Sequence, residues 1–568
     1  MNSKDESKNQ TAVKQMPFQK YKAFKPIALK DRTWPDQVIE EAPRWCTVDL
    51  RDGNQALIEP MTPDEKFKMW NLLVEIGFKE IEVGFPAASQ TDFDFVRMII
   101  EQDLIPDDVT IQILCQAREE LIVKSCEAVK GAKQVIFHLY NSTSTLQRKV
   151  VFKMSREEVI TLATDATKLV KAHTDILQEE GTNITLEYSP ESYTATEMDF
   201  AVEICDAVME VWQPTVENKI ILNLPSTVEM ATPNIYADQL EWFMRNLKSR
   251  EKAIISLHTH NDRGTGVAAS EMGLMAGADR IEGTLFGNGE RTGNCDVITM
   301  AMNMFSQGID PKLYLSDMPK IVAVSEECTK ISIHVRQPYA GELVFTAFSG
   351  SHQDAIKKGM ALVERDSDAQ WEVPYLPIDP SDVGSSYRET VRVNSQSGKG
   401  GIAFILEEFY GVSLPRPLLL EFSPIIQKMS ELDGGELKPD LIWRTFVSEF
   451  VDVSGPYKLI NYKIKSSSEQ LEQCTFNIKV ADSEISLYGE GSGPIDAFIA
   501  GLVETLNEPL NVLDYQEYSL HEGSEAQAIC ILAITDDKQN KYYGVGISQN
   551  TTTAAFEAII AAINRKWQ

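Results

Sequence analysis

Between about residues 45 and 307 the chain alternates short β-rich runs with longer helix-like stretches eight times, a rhythm that few folds admit. The runs are Trp45–Leu50, Glu80–Phe85, Thr110–Gln116, Gln134–Tyr140, Asn183–Ser189, Lys219–Leu224, Ile254–His260 and Arg280–Phe286. Each precedes a helical pattern. The first of these, Thr62–Ile76, opens on Thr62-Pro63-Asp64-Glu65, with a capping residue, proline at the first helical position and acids in the first turn. Eight βα units in about 265 residues match the count and size of a (β/α)8 TIM barrel, whereas a doubly wound sheet usually stops at fewer strands. The predicted fold class is therefore α/β, with a TIM barrel at its centre.

A barrel places its active site at the C-terminal ends of its strands, and the unusual residues of this chain fall there. Arg51-Asp52 follow the first strand, Glu191 the fifth, and Asn223 to Thr227 the sixth. The seventh ends in His258-Thr259-His260, two of only 7 histidines in the chain. Residues two apart on a strand share a face, so both imidazoles can serve one metal ion. After the eighth strand comes Gly287-Asn288-Gly289-Glu290-Arg291-Thr292-Gly293-Asn294. Closure sets strand eight between seven and one, so Asp52, His258, His260 and Asn294 can meet at one point. One carboxylate and two imidazoles suit Zn²⁺, Mn²⁺ or Fe²⁺, and Asn294 adds an oxygen or orients a water. Arg51 beside them is a permanent cation placed where negative charge develops on an oxygen. The glycine-rich loop offers backbone N–H groups to an anion, or is simply a tight turn. Glu191 is a candidate for proton transfer or substrate positioning.

Composition narrows the class. The 568 residues carry a net charge of −30, which argues against a nucleic-acid or anionic-membrane surface but leaves room for an anionic metabolite in a local pocket. The first 30 residues are basic and poor in apolar side chains before Met16, and the start of that arm is expected to be disordered. Eight cysteines without a Cys-x-x-Cys read as buried thiols of a reducing cytosol, and no apolar run reaches membrane-spanning length, so a cytoplasmic protein is expected.

Beyond residue 310 the alternation stops. Residues of about 320–425 read as small helical pieces with a proline-rich loop (Pro374, Pro377, Pro380) and a Ser/Gly loop at Ser395–Gly401. Two later segments, Tyr488-Gly489-Glu490-Gly491 and Tyr543-Gly544-Val545-Gly546, each follow a strand-like run and lead into an amphipathic helix. They predict a C-terminal α+β domain of two β-β-helix repeats. The expected division is an N-terminal arm 1–40, a barrel 41–315, linker subdomains 316–425 and a C-terminal domain 426–568.

The segments around Arg51-Asp52, His258–Asp262 and Gly287–Asn294 resemble the signature elements of the acyl-CoA condensing TIM barrels. These include the isopropylmalate, homocitrate and citramalate synthases and the hydroxymethylglutaryl-CoA lyases. The resemblance is greatest to the longer type of isopropylmalate synthase. It extends from Asp31–Pro35 through Phe348–Ala355 and Arg392–Gly400 to the C-terminal repeats, nearly the whole chain. It implies a divalent metal (Zn²⁺, Mn²⁺ or Mg²⁺) on Asp52, His258, His260 and Asn294, and a Claisen condensation of acetyl-CoA with 3-methyl-2-oxobutanoate followed by thioester hydrolysis. It also implies that His138, Ser189, Glu191, Asn223 and Thr227 line the substrate pocket with Arg51. His352 and Tyr375 then reach the barrel mouth, of this or a partner subunit, and assist catalysis there, with Glu191 the in-barrel candidate. A homodimer forms, and leucine is bound near Gly489, Gly491, Gly493, Gly544 and Gly546. A homocitrate or citramalate synthase, or a catalytically inactive sensing barrel, is the competing expectation.

Overall fold

The computed structural model describes residues 20, 22–347, 349–363, 370–385, 399–433, 437–465, 471–506, 509–520 and 526–567. The start of the N-terminal arm and most of the Ser395–Gly401 loop lie outside them. Two compact units divide the chain: one runs through Val344 and takes in Asp382–Gly384, and the other holds Phe345–Ser381 and Ser385 onward.

The first unit is a closed barrel of eight parallel strands in chain order. These are β1 (Arg44–Thr47), β2 (Glu80–Gly84), β3 (Thr110–Gln116), β4 (Gln134–Ser142), β5 (Asn183–Glu191), β6 (Ile220–Ser226), β7 (Ala253–Thr259) and β8 (Arg280–Gly283). Closure is made by β1, which pairs in parallel with β2 on one side and with β8 on the other, Trp45 opposite Ile281. The first helix spans Pro63–Ile76 and starts as its sequence predicts: Thr62 and Glu65 form a reciprocal capping box, each satisfying the other's otherwise orphaned N–H. It stops at Gly77, whose φ of 105° suits glycine.

β2 and β7 end one residue earlier than expected, and β1 and β8 end three earlier, the latter two for one shared reason. After Thr47 the chain leaves the sheet for a π-helical turn, Asp49–Gly53, which carries Arg51 and Asp52. The buried Asp49 carboxylate accepts from the Thr47 hydroxyl at 2.7 Å and from the Leu285 N–H beyond β8 at 3.0 Å. That anchor ties the turn after β1 to the segment after β8.

Unlike the branched aliphatic filling usual in this fold, much of the interior here is polar. Glu80 and Glu82 on β2, and Arg280 and Glu282 on β8, alternate so that each pair shares the inner face. Arg280 is wholly buried and donates to Gln112 at 2.7 Å, Ser256 at 2.8 Å and Glu282 at 2.8 Å. All 8 cysteines are buried and free, and no helix among the described residues is long and apolar enough to cross a membrane.

The second unit ends in two antiparallel three-stranded sheets. One is ordered β11-β10-β9, from β9 (Tyr457–Lys465), β10 (Glu472–Val480) and β11 (Ser483–Gly491). The other is β12-β13-β14, from β12 (Asn511–Ser519), β13 (Ala528–Thr535) and β14 (Lys541–Ser548). Each leads into a helix, Pro494–Leu506 or Thr551–Lys566. The expected repeat is present, lengthened by one strand to β-β-β-helix. The extra strands, β9 and β12, lie at sheet edges with most side chains exposed or half-buried, so they lack an apolar run to announce them. Phe476, Phe498 and Phe556 bring both repeats into one core, with ring centroids 4.4–5.1 Å apart. A second core joins Leu406, Phe422, Phe446 and Phe450 to Ile531 and Val545, and the helix Arg416–Asp433 that carries Phe422 runs across residue 426.

Candidate active site and metal centre

His258 ends β7 with its Nδ1 against Glu282 Oε2 at 2.9 Å. The Glu282 carboxylate accepts from Nδ1–H and fixes the ring so that Nε2 faces Asp52, the kind of outer-shell support found behind metal-bound histidines. Asp52 Oδ1 accepts from Arg51 Nη1 at 2.6 Å and Gln55 Nε2 at 2.9 Å, while Oδ2 is buried without a hydrogen-bond partner. That bare oxygen lies 3.4 Å from His258 Nε2 and 3.9 Å from His260 Nε2. One ligand atom from each of the three residues falls within 4.8 Å of the others.

Asn294 joins them through the loop after β8. A β-bridge pairs it with His260, its Nδ2 donates to Asn288 O at 3.0 Å, and its Oδ1 is buried without a partner. Within Gly287–Asn294, Gly293 N–H bonds Glu290 O and Asn294 N–H bonds Gly287 O, so these two groups are used by the turn itself. Only glycine fits at 293, because φ is 96° and a Cβ would stand 1.9 Å from Gly287 O.

Orphaned buried acceptors are rare, and two of them beside two imidazoles fit a divalent cation. Burial alone pushes a carboxyl up, yet Arg51 and His258 hold Asp52 well below its usual range, so it is ionised. A second acidic cluster, His138 with Glu187 and Glu282, already contains its cation: Arg280 Nη1 is 2.8 Å from Glu282 and 3.3 Å from Glu187.

The centre opens into a cavity of about 390 Å³ lined by Arg51, Asp52, His138, Ser189, Glu191, Asn223, Thr227, His258 and His260. The barrel thus brings together every predicted barrel residue, with Asn294 contiguous through His260. Glu191 accepts a short hydrogen bond from the Ser142 hydroxyl, and Thr227 Oγ1 accepts from Ser192 N–H at 2.9 Å. Pro225, Glu290 and Arg291, within segments flagged from sequence, also line the cavity, as do Gln55, Phe85, Leu114 and Tyr140, which were not singled out. Leu114 and Tyr140 sit near the C-terminal ends of β3 and β4, so the barrel rule applied to every strand finds them. Glu82 and Glu282 gave no signal, because an acid on a short strand reads as solvent-facing.

His352 and Tyr375 belong to the second unit, where their rings stack on one another at a centroid distance of 3.9 Å. The glycines of the repeats have a packing role. A Cβ on Gly489 would stand 1.9 Å from Ala497 O, and one on Gly546 would stand 1.9 Å from Ala554 O. Gly491 and Gly544 meet the same two helices at 2.4 Å and 2.1 Å, whereas Gly493 faces open space.

A polar-cored (β/α)8 barrel with a two-histidine, one-carboxylate centre at its mouth defines the class, and a family model described as HMGL-like matches residues 42–324. Models described as alpha-isopropylmalate synthase post-catalytic domain-like and as LeuA allosteric (dimerisation) domain match residues 342–407 and 436–567. The chain is 52% identical over 554 residues to the 2-isopropylmalate synthase of Parafrankia sp., covering 97% of this chain and 98% of the relative. It is 52% identical to that of Clostridium acetobutylicum, covering 97% and 99%, and 52% identical to that of Rhodospirillum rubrum, covering 96% and 98%. The chain belongs to the 2-isopropylmalate synthase family.

Proposed function

We propose that this chain condenses acetyl-CoA with 3-methyl-2-oxobutanoate and hydrolyses the resulting thioester to 2-isopropylmalate and free CoA. The observation that carries the proposal is the convergence of Asp52, His258 and His260, with unpartnered oxygens on Asp52 and Asn294, beside the Arg51 guanidinium. They stand in a chain whose full-length relatives are named for that product. A divalent metal held by those four residues (Zn²⁺, Mn²⁺ or Mg²⁺) supplies Lewis-acid polarisation of the keto group. Arg51, fixed by Glu82 and Asp52, offers a preorganised cation where the alkoxide develops. Phe85, Leu114 and Pro225 give the cavity an apolar lining suited to a branched alkyl group. His138, Ser189, Asn223 and Thr227 complete the substrate pocket, and Glu191 takes part in removing the acetyl methyl proton, assisted by the His352–Tyr375 pair. We assign leucine as the effector of the C-terminal repeats, with Gly489–Gly493 and Gly544–Gly546 near it, in a cytoplasmic homodimer.

The test is thiol release from acetyl-CoA against a panel of 2-oxo acids. Turnover is expected to be fastest with 3-methyl-2-oxobutanoate and to fall when leucine is added. Preference for 2-oxoglutarate or pyruvate would move the chain to a sister synthase, and no release with any acid would overturn an enzymatic role.

A further inference from the structure

Beside the metal centre a hydroxyl, an imidazole and a carboxylate stand in series. Ser189 Oγ lies 2.7 Å from His138 Nε2, and His138 Nδ1 lies 2.9 Å from Glu82 Oε1. The direction of the chain is fixed at both ends. Glu82 is acceptor-only and also receives the Arg51 guanidinium, so Nδ1 carries a proton toward it, while Nε2 faces Ser189 Oγ with Glu187 Oε1 at 3.4 Å. At the other end Asn223 Nδ2 donates to Ser189 Oγ at 3.1 Å, so the serine proton points to His138. All three side chains are at least nine-tenths buried, while Ser189 and His138 line the cavity. Packing alone needs no hydroxyl–imidazole–carboxylate order. The order is the one that draws a proton off an oxygen next to an acyl group.

We propose that Ser189, His138 and Glu82 form the proton relay for the hydrolytic half of the reaction. The assignment rests on the synthase reading above. The enolisation step is the less suitable client, because the imidazole nitrogen is covered by a hydroxyl and receives its proton from O–H. In the hydrolysis, a water oxygen forms a bond to the thioester carbonyl carbon. The water passes one proton to Ser189 Oγ as Ser189 passes its own to His138 Nε2. The tetrahedral oxyanion collapses, the C–S bond breaks, and the departing CoA sulfur recovers that proton by the reverse path. The sum is thioester plus water to carboxylic acid plus thiol. Ser189 and His138 act on the reacting atoms, and Glu82 positions the imidazole.

The test separates the two halves on metal-loaded enzyme. Pre-formed 2-isopropylmalyl-CoA is supplied and its hydrolysis followed, while exchange of acetyl-CoA methyl protons with deuterated solvent reports the carbanion step. In Ser189→Ala and His138→Asn, hydrolysis is expected to fall at least about 100-fold, the scale of positioned general-base catalysis. Because both residues also line the substrate pocket, methyl exchange should fall too, but far less than hydrolysis, and the CoA ester should accumulate during turnover. Glu82→Gln should shift the same ratio of ester to free acid, a readout that mere loosening of the barrel does not move. Unchanged hydrolysis in Ser189→Ala, or equal losses of hydrolysis and exchange in both variants, would overturn the relay. Wild-type enzyme that neither exchanges methyl protons nor hydrolyses the ester would instead overturn the synthase reading itself.

Discussion

At the scale of single residues, the site is held by buried groups that share few charges among many acids. Asp49 is buried with hydrogen bonds but no cation beside it among the described residues. Burial pushes its carboxyl up to about 7, against the pull of the Thr47 hydroxyl and the Leu285 N–H. An acid whose pKa is raised on folding stabilises the folded state most at low pH, below its unfolded value near 4, and that contribution is lost as pH rises through 7. Asp49→Asn keeps an acceptor for Leu285 but removes the ionisation. Between pH 5.5 and 8 the stability of the barrel, followed by denaturant unfolding, should move in favour of the variant by about 2 kcal/mol. A pH-independent difference would show that Asp49 is already ionised and compensated. The convergence of His258 and His260 on one face was legible because period two on a strand fixes their geometry from sequence. Glu82 and Glu282, which orient His138 and His258, were invisible because what makes them functional is the neighbour each finds across the barrel.

At the scale of elements, local rules were legible wherever the chain satisfies itself. The Thr62-Pro63-Asp64-Glu65 start formed the capping box its residues demand, since all partners lie within four residues. β1 ended early because Asp49 finds Leu285, 236 positions away, and nothing near Trp45 encodes that bond. The Tyr-Gly-x-Gly segments were legible as a repeat, but their physical meaning required the helices. In each repeat the last strand lies directly against a helix backbone, and a methyl group has no room between them. Gly546→Ala, with its Cβ aimed at Ala554 O, should therefore destabilise the C-terminal unit by about 1–3 kcal/mol, the usual cost of overpacking. Gly493→Ala, facing open space, should be nearly silent. Matching unfolding midpoints for the two variants would contradict this account of the strand–helix contact.

At the scale of the whole molecule, the candidate metal centre is a product of closure. Asp52 follows β1, the histidines end β7 and Asn294 follows β8. They meet only because β1 pairs with β8 and seals the sheet. The eight-fold alternation made that convergence readable before any coordinates, and the cavity beside it was accessible from the rule that barrel chemistry sits at strand C-termini. The polar interior was not readable, since no local pattern tells an inward acid from an outward one. The claim on which the enzymatic account stands is that these four residues hold one divalent cation. Calorimetric titration of chelator-stripped protein with Zn²⁺ or Mn²⁺ tests it most directly. The wild-type chain should bind one ion per subunit, and His260→Ala, with its thermal unfolding unchanged, should bind at least about 100-fold more weakly, since removing one of three strong ligands leaves an incomplete site. Equal affinity and stoichiometry in the two proteins would contradict the account.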